Sequence, residues 1–110
     1  MRTIAIVAGG NSSEYPVSVR SAEGVAIALK GKYETYIITV KGTDWYWEDQ
    51  KGRMFRIDKN DFTLVLDDQL VRFDAAFIAI HGNPGENGLL QGYFDMTGIP
   101  YTSCDAFVSA

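Results

Sequence analysis

Thr3-Ile4-Ala5-Ile6-Val7-Ala8 carries no charged side chain and runs directly into Gly9-Gly10. An apolar run closed abruptly by glycines reads as a strand buried on both faces, the kind found in parallel sheets covered by helices. The next residues, Gly9-Gly10-Asn11-Ser12-Ser13-Glu14-Tyr15-Pro16, form a loop, and Pro16 suits a first helical turn, where a missing N–H costs nothing. Apolar residues then fall at Val19, Ala22, Val25, Ala26 and Leu29. That spacing predicts a helix over residues 17–29, stopped by Gly31. Gly24 in its middle costs about 1 kcal/mol against alanine, which suggests close packing of the helix on the sheet. Residues 33–40 are rich in β-branched and aromatic side chains and predict a second strand. The chain therefore opens as a βαβ unit, with parallel strands and a right-handed crossover.

The middle of the chain differs in kind. Trp45-Tyr46-Trp47-Glu48 and Met54-Phe55-Arg56-Ile57 flank a turn at residues 49–52, and Thr63-Leu64-Val65-Leu66 and Leu70-Val71-Arg72-Phe73 flank Asp67-Asp68. Both read as hairpins, antiparallel additions to the parallel core, with Trp45 and Trp47 sharing a face against it. Residues 75–80 predict another doubly buried strand, 81–88 a glycine-rich loop, 89–97 a short helix closed by Gly98, and 100–102 a brief strand. Asp105 reads as the N-cap of a helix that the chain enters but does not finish, which suggests truncation.

The 110 residues suit one domain of modest stability. A net charge of −4 gives no electrostatic footprint for nucleic acid and makes acidic membranes poor partners. Cys104 is the only cysteine, so no internal disulfide can form, which fits a reducing compartment. The apolar run at residues 75–80 is far too short to span a bilayer, and residues 1–8 are too short for a signal peptide. A cytoplasmic α/β domain is the expectation.

Ligands of open α/β sheets bind outside the carboxyl ends of the parallel strands. Both unusual loops follow such strands and belong on one rim. In the first, Gly9 and Gly10 let backbone approach a ligand closely, and the helix start offers N–H groups and partial positive charge to an anion. The loop matches neither G-x-G-x-x-G nor the G-x-x-x-x-G-K-[ST] phosphate loop. Glu14 would repel phosphate but attract an ammonium group, so a helix start plus this carboxylate suits a zwitterion. Equally, Glu14 can simply complement the helix dipole. The second loop, His81-Gly82-Asn83-Pro84-Gly85-Glu86-Asn87-Gly88, holds the only histidine. His81 is placed to donate to a carboxylate or phosphoryl oxygen or to move a proton, or else to satisfy the loop backbone. Glu86 and Gln91 read as braces for the loop, shaped by Gly82 and Gly85. One histidine, one cysteine and scattered acids give no metal-ligand cluster.

Three blocks in order, Gly9-Gly10-Asn11-Ser12-Ser13-Glu14 with Val17-Ser18, then residues 81–92, then Gly98-Ile99-Pro100-Tyr101-Thr102, resemble the amino-terminal signature of D-alanine–D-alanine ligases. The resemblance implies a parallel-sheet Rossmann-like (pre-ATP-grasp) domain with inserted antiparallel β-hairpins, spanning residues 1–104. Residues 105–110 would begin a linker helix to an ATP-grasp domain. It implies a cell-wall enzyme in which ATP phosphorylates the carboxylate of one D-alanine and the amine of a second displaces phosphate. Glu14 would then bind the first ammonium group, His81 would lie near the reacting carboxyl, and Val17 and Ser18 would line the pocket. ATP and Mg2+ would be held by the full-length enzyme, not by this stretch, which alone would be inactive. Members commonly form homodimers through this domain.

Asn87 stands where the family usually has aspartate, Pro84 stiffens the second loop, and residues 45–73 are longer than in compact members. Two alternatives remain beside this reading: a stand-alone small-ligand-binding Rossmann-like module, and a ligase of D-alanine with D-lactate or D-serine.

Overall fold

The computed structural model describes residues 2–9, 15–80 and 89–103. Among them the elements run β1 (Thr3–Gly9), α1 (Tyr15–Leu29), β2 (Glu34–Lys41), β3 (Asp44–Glu48), β4 (Met54–Asp58), β5 (Thr63–Leu66), β6 (Gln69–Arg72), β7 (Ala75–Ile78), α2 (Leu89–Thr97) and β8 (Tyr101–Ser103). One mixed sheet holds all the described strands in the order β6-β5-β4-β3-β2-β1-β7-β8. The four strands β2, β1, β7 and β8 are parallel, and β3 to β6 extend the sheet antiparallel from β2. The molecule is thus an α/β fold with hairpins added at one flank, as the residue pattern predicts.

β1 lies between parallel neighbours, and side-chain alternation sends its residues to two cores. Ala5 and Val7 join the α2 side with Ile38, Val40, Ala76, Ile78, Leu90 and Phe94. Ile6 and Ala8 join the α1 side with Ala22, Val25, Ala26, Ile37 and Phe77. This is why an uninterrupted apolar run suits β1. The two helices cover opposite faces. The step from β1 to β2 passes one way along the sheet and the step from β7 to β8 passes the other way, so both crossovers have the same hand. Between β1 and β7 the winding reverses, which is where open sheets leave a crevice.

The hairpins build an aromatic layer on the α2 side. Phe62 is fully buried, with ring centroids 4.9 Å from Phe94, 5.3 Å from Phe73 and 6.0 Å from Tyr93. Trp45 meets Tyr93 edge-on at 4.9 Å, and Trp47 meets Tyr36 at 5.4 Å. Such edge-to-face contacts add to the burial itself. Trp45 and Trp47 do share a face against the core. The Tyr93 hydroxyl donates to the Lys59 carbonyl at 2.6 Å, and the Lys59 ammonium sits over the Trp45 ring and bonds to the Thr43 carbonyl. At the β3–β4 turn the Asp49 carboxylate accepts from the backbone N–H of Lys51 and Arg53 and from the Arg53 side chain. Those bonds hold its carboxyl below the ordinary range although burial alone would push it up.

Two expectations are corrected. Gly24 does not mediate close packing: it is exposed, and a Cβ there would meet nothing within 4 Å outside the helix itself. Four residues from Arg20 and three from Ile27, both exposed, it lies on the outer stripe of α1. The strand expected over residues 75–80 ends its ladder at Ile78, although Ala79 and Ile80 remain buried. Asp105 and its expected helix lie outside the described residues.

Candidate functional site

β1 and β7 are adjacent and parallel, with Val7 opposite Ile78, so their carboxyl ends share one rim. The first loop leaves from Gly9 and returns at the start of α1; the second leaves just after Ile80. The roots of both loops are therefore neighbours, at the reversal of the winding, with the amino end of α1 beside them. Glu14 and His81 themselves lie outside the described residues, as do Gly10, Gly82, Gly85, Glu86 and Asn87. Val17 stands in the first turn of α1. Gln91 lies in the first turn of α2, half-buried.

Gly9 and Ser18 are described in full, and both are more constrained than the residue pattern suggests. Gly9 closes β1 with φ +109. It pairs with Val40, and a Cβ on it would stand 2.3 Å from the Val40 carbonyl oxygen. Glycine is required there on both counts.

Ser18 is fully buried. Its Oγ accepts from the Gly9 N–H at 2.9 Å and donates to the Ala79 carbonyl at 2.7 Å. Ala79 in turn donates its N–H to the Val7 carbonyl at 2.7 Å. In a continuing parallel ladder the next rung would run from the Gly9 N–H to the Ala79 carbonyl. The Ser18 hydroxyl occupies that rung. Two hydrogen bonds replace one, β1 and β7 part, and the ladder stops at Ile78. This is the physical reason that β7 is shorter than its apolar run.

The opposite end of the same pair is clamped. The Asp74 carboxylate accepts from the Thr3 N–H at 2.8 Å, while the Asp74 N–H donates to the Thr3 carbonyl at 2.8 Å. The strands are thus held together at their amino ends and spread at their carboxyl ends. Sequence reasoning missed the insertion, although a signal existed. Ser18, Ala22, Val25 and Ala26 fall at i, i+4, i+7 and i+8, which puts Ser18 on the buried stripe of α1. A hydroxyl there needs buried partners.

Among the described residues no group of three or more His, Cys, Asp or Glu is placed to hold a metal ion. A surface hollow of about 610 Å3 is lined, among the described residues, by Lys41, Gly42, Asp44, Tyr46, Met54 and Arg56, and not by the loop roots at Gly9 and Ile80.

Comparison with known proteins bears on this geometry. A family model described as D-ala D-ala ligase N-terminus matches residues 3–104. The chain is 50% identical over 110 residues to the D-alanine–D-alanine ligase of Bacteroides thetaiotaomicron, covering 99% of this chain and 34% of that one. Among solved structures, D-alanyl-alanine synthetase A from Vibrio cholerae superposes with a TM-score of 0.76 at 31% identity, over 92% of this chain and 30% of that chain. The D-alanine–D-alanine ligase of Bacillus anthracis complexed with ATP matches with a TM-score of 0.60 at 31% identity, over 93% of this chain and 29% of that one. The chain spans about a third of the length of the curated relatives it matches.

Proposed function

The chain belongs to the D-alanine–D-alanine ligase family through its amino-terminal domain, and from that premise we propose that it cradles the first D-alanine in an ATP-dependent ligase of cell-wall synthesis. The observation that carries the reading is the fork between β1 and β7. Both motif-bearing loops leave from it, and α1 begins beside it. A zwitterion suits such a place: the helix start favours its carboxylate, and Glu14 on the first loop attracts its ammonium group.

In this reading Glu14 binds the ammonium of the first D-alanine and Val17 lines the pocket. His81 faces the carboxyl group, donating to it as it becomes an acyl phosphate and as the second amine attacks. The helix start stabilises the charge that grows on the tetrahedral intermediate. Gly9, Gly10, Gly82 and Gly85 shape the loops, with Glu86 and Gln91 as braces. ATP supplies the phosphoryl group and Mg2+ its charge neutralisation. We assign both to the rest of the ligase's length, since the described residues offer no metal-ligand cluster and the first loop lacks a phosphate-loop pattern. Residues 1–104 would form the Rossmann-like, pre-ATP-grasp domain.

The reading includes a cytoplasmic homodimer joined through this domain. Ile27 on α1 and Met96 on α2 offer apolar surface, 74% and 88% exposed. Among the described residues no helix is long and apolar enough to cross a membrane.

The test is direct. The ligase carrying this chain at its amino terminus, given ATP, Mg2+ and D-alanine, is expected to release phosphate and form D-alanyl-D-alanine. The 110 residues alone are expected to do neither. A full-length protein that makes no dipeptide ends the proposal.

A further inference from the structure

We infer that the Ser18 hydroxyl is a spacer that sets the width of the fork between β1 and β7, and through it the separation of the two substrate loops. This rests on the proposed reading of those loops, and it gives Ser18 a different part from pocket lining: Ser18 is a positioning residue.

Gly9 and Ala79 would be direct partners in an unbroken ladder, and the hydroxyl stands between them, 2.9 Å from one and 2.7 Å from the other. Both loops leave the sheet within two residues of these contacts. Gly9 is held against β2 by its pairing with Val40, whose carbonyl oxygen lies only 2.3 Å from where a Cβ on Gly9 would stand. The Asp74 clamp fixes the other end of the strand pair. With β1 held from one side and from below, the hydroxyl alone decides how far β7 stands off at the rim. It comes from α1, so it also ties the fork to the helix start that faces the substrate. A small ligand that reaches from the first loop to the second depends on that spacing. A nucleotide bound elsewhere in the ligase does not.

The test uses the full-length ligase with Ser18→Ala, Ser18→Cys and Thr63→Val. Thr63 is a control for stability: it too is a buried hydroxyl residue, and its hydroxyl donates to Asp61 at 2.7 Å, on β5 far along the sheet. Ser18→Ala lets the rung close or leaves both backbone groups unsatisfied. It is expected to raise KM for the first D-alanine by about tenfold or more, because small misplacements of a bound substrate are costly. KM for ATP is expected to stay within about twofold. Ser18→Cys keeps a donor and an acceptor in a bulkier group, and is expected to fold and raise the same KM by a smaller factor. Thr63→Val is expected to lower thermal stability with unchanged Michaelis constants. Folded Ser18 variants with an unchanged first KM, or shifts matched by Thr63→Val, would overturn the spacer role and leave the ligase reading intact. A wild-type ligase without dipeptide synthesis would overturn both.

Discussion

A Cβ on Gly9 would stand 2.3 Å from the carbonyl oxygen of Val40, its partner across the β1–β2 ladder. Backbone cannot yield as a flexible side chain can, and φ at Gly9 is +109, where side-chain-bearing residues are strained. Gly9→Ala is therefore expected to destabilise the fold by about 3 kcal/mol or more. Urea denaturation followed by circular dichroism measures it. A loss below about 1 kcal/mol would mean that the approach relaxes easily.

Gly24 poses the opposite case. It lies in the middle of α1, exposed, and an added Cβ would find open space. Gly24→Ala is expected to raise stability by about 1 kcal/mol, because alanine loses less backbone freedom on folding. The urea midpoint should rise with an unchanged slope. A fall would show that the outer face of α1 is covered in solution.

Tyr93 makes the fold sensitive to alkali. Burial first, then the charges of Asp61 and Asp58, push its phenol up to about 12 from the ordinary value near 10. The folded state thus prefers the neutral form. The stabilisation is fully present below about pH 10 and is lost as pH rises through about 12. Burial likewise raises Tyr36, helped by Glu34, and Tyr101, helped by Asp95, so the contribution of Tyr93 is read by difference. Tyr93→Phe should be less stable than wild type near neutrality, having lost the bond to the Lys59 carbonyl, and should show a shallower decline between about pH 10 and about pH 12. Parallel declines would remove Tyr93 from the effect.

Glu14→Gln in the full-length ligase keeps the shape of the side chain and removes its charge. If Glu14 holds the first ammonium group, KM for the first D-alanine should rise roughly tenfold to a hundredfold, the worth of one charge-assisted hydrogen bond. Stability should be unaltered. Unchanged kinetics would take Glu14 out of the site.

Much of the fold was legible because its signals are local. The uncharged run of β1, the 3.6-residue spacing of α1 and the paired hairpins each report burial one segment at a time. The parallel sense of β1 and β2 follows from the βαβ rule, but the place of β7 on the other side of β1 does not. The candidate site was half legible. Gly9 could be marked as special from its place at the end of a buried strand, and the rim could be located from chain order. The reason Gly9 must be glycine lies with Val40, thirty-one residues on. Gly24 misled because a mid-helix glycine signals either tight packing or mere tolerance, and only the neighbours distinguish them.

Ser18 shows the division most clearly. Its residue type and its position on the apolar stripe of α1 are sequence facts, and they already demand buried hydrogen-bond partners. That those partners are Gly9 and Ala79, brought together from opposite sides of a ladder, depends on which strands lie next to each other and in what register. Sequence alone determined the α/β class, the elements and the family signature, because periodicity and turn chemistry act over a few residues. Tertiary structure alone decided where β1 and β7 part, because a hydroxyl takes up a ladder rung only after a helix has packed across both strands.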